Sequence, residues 1–218
     1  MKKTFIKKSI FLILTIVLKS VVSYSQTITT GVVTPATVCA GSNTSVAFTT
    51  TGTIPAGTIF TAELSDNTGS FTTPTSIGTG TVSPIAGIIP IAATAAATYK
   101  IRVTTATPTL TGTESSVITI KAKPAPPTVA NIAYTTAETA VTLTATGSNL
   151  SWYSTATGGT GSATAPIPTT TTAGIQEYWV TQTVTDCESN RAKITVTITA
   201  CTPPAPPTVA NIAYTTAE

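Results

Sequence analysis

Between Ser45 and Thr49 apolar Val46 and Phe48 alternate with Ser45, Ala47 and Thr49. The same period of two returns where Phe60, Ala62 and Leu64 alternate with Thr61 and Glu63, and where Tyr99, Ile101 and Val103 alternate with Lys100 and Arg102; Ile118 and Ile120 follow. Successive side chains of a strand point to opposite faces, so each stretch buries one face and leaves the other in water. With Thr27 to Val33, a segment near Ser76-Ile77 and another at Gly87 to Ile91, about seven short strands are predicted up to residue 121, the usual number for an antiparallel sandwich. Asp66-Asn67-Thr68-Gly69 supplies turn chemistry between them. Further strands are predicted at Val141 to Ala145, Leu150 to Tyr153, Tyr178 to Thr183 and Lys193 to Thr199, with a turn at Gly158-Gly159. Ala92 to Ala97 tolerates a helix, but it is short and flanked by threonines, and reads as a loop. The predicted class is all-β.

A second pattern overlies this one. The fifteen residues Pro124 to Glu138 recur unchanged from Pro204 to Glu218, eighty residues further on. Chance does not give fifteen identities in order, so the period describes one module plus its linker. Proline-rich blocks at Lys123 to Pro127 and Pro203 to Pro207 read as short, stiff spacers that extend an array. The organisation expected is therefore a leader at 1–25, a β-sandwich module at 26–121, a Pro-rich linker at 122–127, a second sandwich module at 128–200, and at 201–218 a linker with the truncated start of a next repeat. A module cut there would lack most of its core.

The leader rests on Lys2, Lys3, Lys7 and Lys8, the apolar run Ile10 to Leu18, and small residues at Ser23 and Ser25. A basic region, a short apolar core and small residues make a secretory signal, cleaved before Gln26. Ile10 to Leu18 falls well short of the ~20 residues that span a bilayer, so no membrane span is expected in the mature chain. Five of the 11 basic residues lie in the leader; six remain against eight acids, a net charge of −2 after Gln26. The basicity of the whole chain is thus a targeting feature, and nucleic acid is not an expected partner. Threonine and serine must supply most of the surface polarity, because charged residues make up 9% of the chain; β-branched threonine suits strands.

The catalytic inventory is thin. There is no histidine, the commonest general base and metal ligand, and no base is apparent to activate Cys39, Cys187 or Cys201. The carboxylate pairs Glu63 with Asp66 and Asp186 with Glu188 read as solvated acids in and beside turns rather than a hydrolytic pair. Asp66 to Ser70 offers too few carboxylates for calcium, and Gly158 to Gly161 lacks the lysine and helix of a phosphate cradle. No catalytic residue, metal or cofactor is expected. Asn43-Thr44-Ser45 and Asn149-Leu150-Ser151 match the glycosylation sequon, a short pattern of little weight by itself.

Leu150-Ser151-Trp152-Tyr153, Thr157-Gly158-Gly159-Thr160-Gly161, Glu177 to Thr183 and Asp186-Cys187-Glu188-Ser189-Asn190-Arg191 together resemble the immunoglobulin-like repeats of Bacteroidetes modular surface and secreted proteins. That family is found beside adhesins, gliding-motility components and polysaccharide-degrading enzymes. The resemblance covers Pro124 to Ile198; Gln26 to Lys121 is similar, more weakly, to another sandwich module of the same proteins. It implies two tandem immunoglobulin-like sandwiches, export by the general secretory route, and a type IX step needing a C-terminal sorting domain. Trp152 stands where a sandwich needs one large residue between its sheets, Val180 is assigned to the same core, and Tyr178 and Tyr99 each open a late strand as in a tyrosine corner. Related repeats carry a cysteine just after the Asn-Ile-x-Tyr segment, where this chain has Thr135. Cys187 is accordingly expected to be an unpaired thiol. Cys201 lies too far along an extended strand to meet it, and Cys39 belongs to another module.

Trp179 next to Tyr178 is either a second core aromatic or, with Tyr153, an exposed contact for a sugar or a partner. The function expected is a structural or adhesive module of an exported, secreted or surface protein, spacing or displaying a distal part, with protein or polysaccharide at the cell surface as partner. The alternative is an accessory, carbohydrate-binding module of a secreted polysaccharide-degrading enzyme whose catalytic domain lies beyond residue 218.

Overall fold

A computed structural model of the chain describes residues 25–202 and 204–213. The expected leader lies, except for Ser25, outside the described residues. Those residues form strands, turns and loops without a helix, and no helix among them is long and apolar enough to cross a membrane. They divide into two compact units, one ending at Ala122 and one beginning at Lys123.

The first unit contains β1 (Thr27–Thr34), β2 (Thr37–Cys39), β3 (Asn43–Thr51), β4 (Phe60–Leu64), β5 (Thr75–Gly80), β6 (Ile85–Ile88), β7 (Ala96–Tyr99), β8 (Ile101–Ala106), β9 (Thr109–Glu114) and β10 (Ile118–Lys121). The sheets β1-β3-β6 and β5-β4-β8-β9, joined by β2-β10-β7, bury their apolar faces in one core. Val46, Phe48, Ile85, Ala62, Ile101 and Val103 all lie in it, as the period-two pattern requires. Buried Thr30 links two of these sheets with its polar atoms: its Oγ1 accepts from the Val103 amide at 3.0 Å, and its own amide donates to Thr113 Oγ1 at 3.1 Å. Ala92 to Ala95 is a loop, as expected, while Ala96 opens β7.

The second unit contains β11 (Thr128–Val129), β12 (Ile132–Thr135), β13 (Ala145–Thr146), β14 (Leu150–Tyr153), β15 (Gly174–Val184), β16 (Cys187–Glu188) and β17 (Ala192–Thr199). Its main sheet runs β12-β17-β15-β14, with β16 paired to the end of β15, and β11 pairs with β13. All contacts in the main sheet are antiparallel except β12 with β17, which run parallel. Trp152, Val180, Ile194, Val196 and Ile198 point from this sheet into a core closed by Tyr134 and Leu143. The linker residues 122–127 form no strand, but Gln182 Nε2 donates to the Ala125 carbonyl at 2.8 Å and so ties the linker to β15. Residues 204–213 are exposed and form no strand.

Three expectations are corrected. The strand predicted over Val141 to Ala145 is reduced to Ala145–Thr146, because the backbone donors upstream find partners outside any ladder. The Val141 amide donates to the Tyr134 hydroxyl at 3.1 Å and the Leu143 amide to the Pro166 carbonyl at 2.9 Å. Tyr178 sits within β15 rather than at its start, and its hydroxyl donates to Gln176 Oε1 on the same strand at 2.8 Å instead of tying a loop. Tyr99 does hold a loop: its hydroxyl donates to the Thr94 carbonyl at 3.1 Å. Lastly, Cys187 is not a thiol. Cys39 and Cys187 are both disulfide-bonded, while Cys201 is free and exposed. The expectation rested on Thr135 standing where related repeats carry a partner cysteine and on Cys39 belonging to another module, and neither decides whether a cysteine is bridged; the local geometry of the folded chain does.

A device invisible in the periodicity recurs in both units. The hydroxyls of Ser65, Ser115 and Ser189 accept from the amides of Lys100, Ile101 and Gln182 and donate to the carbonyl of the residue that follows each serine. Each serine thus stands in for a ladder carbonyl where a strand ends, and lets the chain turn away without orphaning a buried amide.

Candidate functional site

The outer face of the β14-β15-β17 sheet carries the second unit's densest chemistry. Tyr153, Trp179 and Lys193 are register partners on the three strands and form one row across it. Trp152 and Val180, their chain neighbours, point the other way into the core, so strand alternation alone sends Tyr153 and Trp179 outward. Trp152 is 4% exposed and Val180 fully buried, whereas Tyr153, Trp179 and Tyr178 are half-buried. Tyr99, in the first unit, is buried and has no part in this face.

The β16 hairpin and the loop after it bring a second row against the first. Glu188 Oε1 accepts from the Tyr153 hydroxyl at 2.7 Å and from Thr181 Oγ1 at 2.7 Å. The Tyr153 hydrogen bond, then that of Thr181, with the Arg191 charge adding to both, holds the Glu188 carboxyl below the usual carboxylate range. The guanidinium of Arg191 lies 3.6 Å from the Tyr153 ring centroid, and its Nη atoms donate to the carbonyls of Thr155 and, at 2.6 Å, Gly158. Gly158 and Gly159 hold φ of +64° and +73°, a conformation that favours glycine, and bring the loop over β14 round to Arg191. Further along, a Cβ on Gly161 would stand 2.9 Å from the Tyr153 ring, so only glycine lets this backbone lie against the tyrosine. Lys193 pairs with Glu177. Together these groups line an open concavity of about 630 Å³ that includes Trp179 and Asn190.

Of the acids considered for catalysis or calcium, Asp66 and Glu63 are engaged elsewhere. Asp66 Oδ1 accepts from the Thr68 amide, the Thr68 hydroxyl and the Ser70 amide at 2.9, 2.7 and 2.9 Å, and its carboxyl is held below the usual range by those bonds, the Thr68 hydroxyl first. Glu63 pairs with Arg102 at 2.8 Å. No group of three or more potential metal ligands comes together among the described residues. Sequence reasoning brought Tyr153 and Trp179 together, but it read Glu188 as a solvated acid beside a turn, placed Thr181 in a strand, and gave neither of them nor Arg191 a part in the site. The alternation of Glu188 with buried Cys187 and Ser189 was the available signal.

Residues 124–199 match the family described as Ig-like domain CHU_C associated, a Bacteroidetes-type immunoglobulin-like domain, over the stretch where the resemblance was seen. No curated protein sequence matches the chain. Among solved structures it is similar to the three N-terminal domains of the bacteriophage RB49 Highly Immunogenic Outer Capsid protein (Hoc), at 16% identity and a TM-score of 0.30, over 80% of this chain and 59% of that one. The chain therefore spans less than two thirds of that structure's length.

Proposed function

We propose, from the premise that residues 124–199 are an Ig-like domain of the CHU_C-associated kind, that this protein is exported and works as tandem sandwich modules that space or display a distal part at the cell surface. The observation that carries the reading is the fifteen-residue identity at an eighty-residue interval, beginning each time in a proline-rich block. Repetition of a whole module lengthens a molecule without adding chemistry, and proline spacers keep neighbouring modules apart. The basic and apolar start of the chain, ending in small residues, supports export. The absence of histidine from the sequence further supports a structural or adhesive role.

Mass spectrometry of the protein from the surface and medium fractions of its native cells tests the export step. A mature N-terminus at Gln26 is expected; a chain that keeps Met1 and stays with the cytoplasmic fraction would sink the reading. The aromatic and polar face of the second unit favours a second reading, in which the modules are accessory domains of a secreted polysaccharide-degrading enzyme. The remainder of the open reading frame separates the two: a glycosidase-like domain there supports the second, and further eighty-residue repeats ending in a sorting domain support the first.

A further inference from the structure

We propose that the outer face of β14-β15-β17 is a binding site for neutral polysaccharide, with Trp179 as the stacking platform and Glu188 and Asn190 as hydrogen-bonding partners for sugar hydroxyls. The proposal rests on the extracellular reading above, since the ligand is a cell-surface or environmental glycan.

Trp179 is the starting point. The core on the other side of the sheet is already filled by Trp152, Val180, Ile194, Val196 and Ile198, so a second tryptophan facing outward is not required for packing. Its two cross-strand neighbours are both engaged: Tyr153 by the Arg191 guanidinium and Glu188, Lys193 by Glu177. The Trp179 indole is left without a hydrogen bond or ring contact among the described residues. An indole presented in this way offers its face to the C–H surface of a pyranose ring and its N–H to a hydroxyl.

The surroundings select the ligand. Glu188 uses Oε1 for two protein hydroxyls, while Oε2 has no partner among the described residues and is open to accept from a sugar hydroxyl. Asn190 adds a donor and an acceptor on the same rim. Glu177 pairs with Lys193, and Glu188 lies under the charges of both Arg191 and Lys123, so the cations of this face each have an acid beside them that competes with an anionic ligand. Apart from the aromatic rings the rim consists of hydroxyls, glycines, one alanine, an amide and the charged side chains of Glu188, Arg191 and Lys193, a poor match to the desolvated apolar pocket of a protein anchor. Arg191 fixes the loop through two carbonyls and the Tyr153 ring, and Ser189 fixes the chain just before it, so the site is held in place before a ligand arrives. A concavity of about 630 Å³ open along one side suits a few residues of a chain lying across the strands.

The test is affinity electrophoresis of the full chain in native gels containing glucomannan, xyloglucan or mixed-linkage β-glucan, with polygalacturonate as the acidic counterpart. Retardation is expected in at least one neutral gel and not in polygalacturonate. Trp179→Thr, a strand-compatible change, should weaken it at least tenfold, and Trp179→Tyr should restore part of it. A measurement on the unaltered chain stands beside this: Trp152 is buried, so acrylamide quenches Trp179 fluorescence selectively, and cellohexaose, xylohexaose or mannohexaose should protect it. Mobility unchanged in every neutral gel together with no protection, binding undiminished in Trp179→Thr, preference for polygalacturonate, or Trp179-dependent capture of a protein in place of glycan would each overturn the proposal. Such failures leave the mature N-terminus at Gln26 untouched, so they are distinguishable from failure of the export reading.

Discussion

Trp152 reaches from β14 into a core shared with Tyr134, Leu143, Ile194 and Val196, and no other tryptophan enters it. Truncating a buried tryptophan costs about 3–5 kcal/mol, a large part of the ~5–15 kcal/mol that holds a domain together. Trp152→Ala should therefore abolish slow amide exchange in β14, β15 and β17 while protection in β3, β4 and β8 persists; undisturbed exchange in β15 would remove Trp152 from its central place. At the outer face, Glu188 makes a pH-dependent contribution. Its carboxyl titrates lower in the fold than its ordinary value of 4.5, so its stabilisation is fully present above that pH and is lost as pH falls through the lower, folded value. The second unit should melt progressively lower on acidification below about pH 4.5, and Glu188→Gln should flatten that slope. An identical slope in Glu188→Gln would assign it to other carboxylates.

The β15–β16 hairpin shows what alternation leaves unwritten. Val184 pairs with Cys187, and the two residues between them, Thr185 and Asp186, both hold positive φ, 50° and 66°. This is the left-handed pair of a tight hairpin turn, where asparagine and glycine are preferred and a β-branched residue is strained. Thr185→Asn should raise the second unit's stability by about 0.5–1 kcal/mol, read as a higher melting temperature; a lower one would mean that the threonine's own contacts outweigh the strain. The period of two made the long strands legible: Val46 and Phe48, Ala62 and Leu64, and Ile101 and Val103 all face the core they were assigned to. It failed at Val141, where a tyrosine hydroxyl replaced the ladder, and it could not foresee Ser65, Ser115 and Ser189, because a serine that ends a strand looks like any polar residue beside one. Of the site, strand alternation set Trp179 opposite in direction to Tyr178, but it left open whether Trp179 joins the core or the outer face. Glu188 and Arg191 were not legible, because a hairpin and a loop bring them to the sheet, and loop paths follow no periodicity.

For the molecule as a whole, repetition is the informative property. Residues 124–138 supply β11 and β12 of the second unit, and the copy at 204–218 brings the same sequence again behind another proline-rich block. The proposed tandem display and the proposed glycan binding are compatible at this scale, since a shallow site carried by each module of an array would gain avidity from every further module. Both depend on the chain reaching the outside of the cell. Labelling of intact cells with an antibody against residues 128–200, compared with permeabilised cells, tests that dependence most directly. Equal labelling of the two is the predicted result, and labelling that appears only after permeabilisation would contradict it.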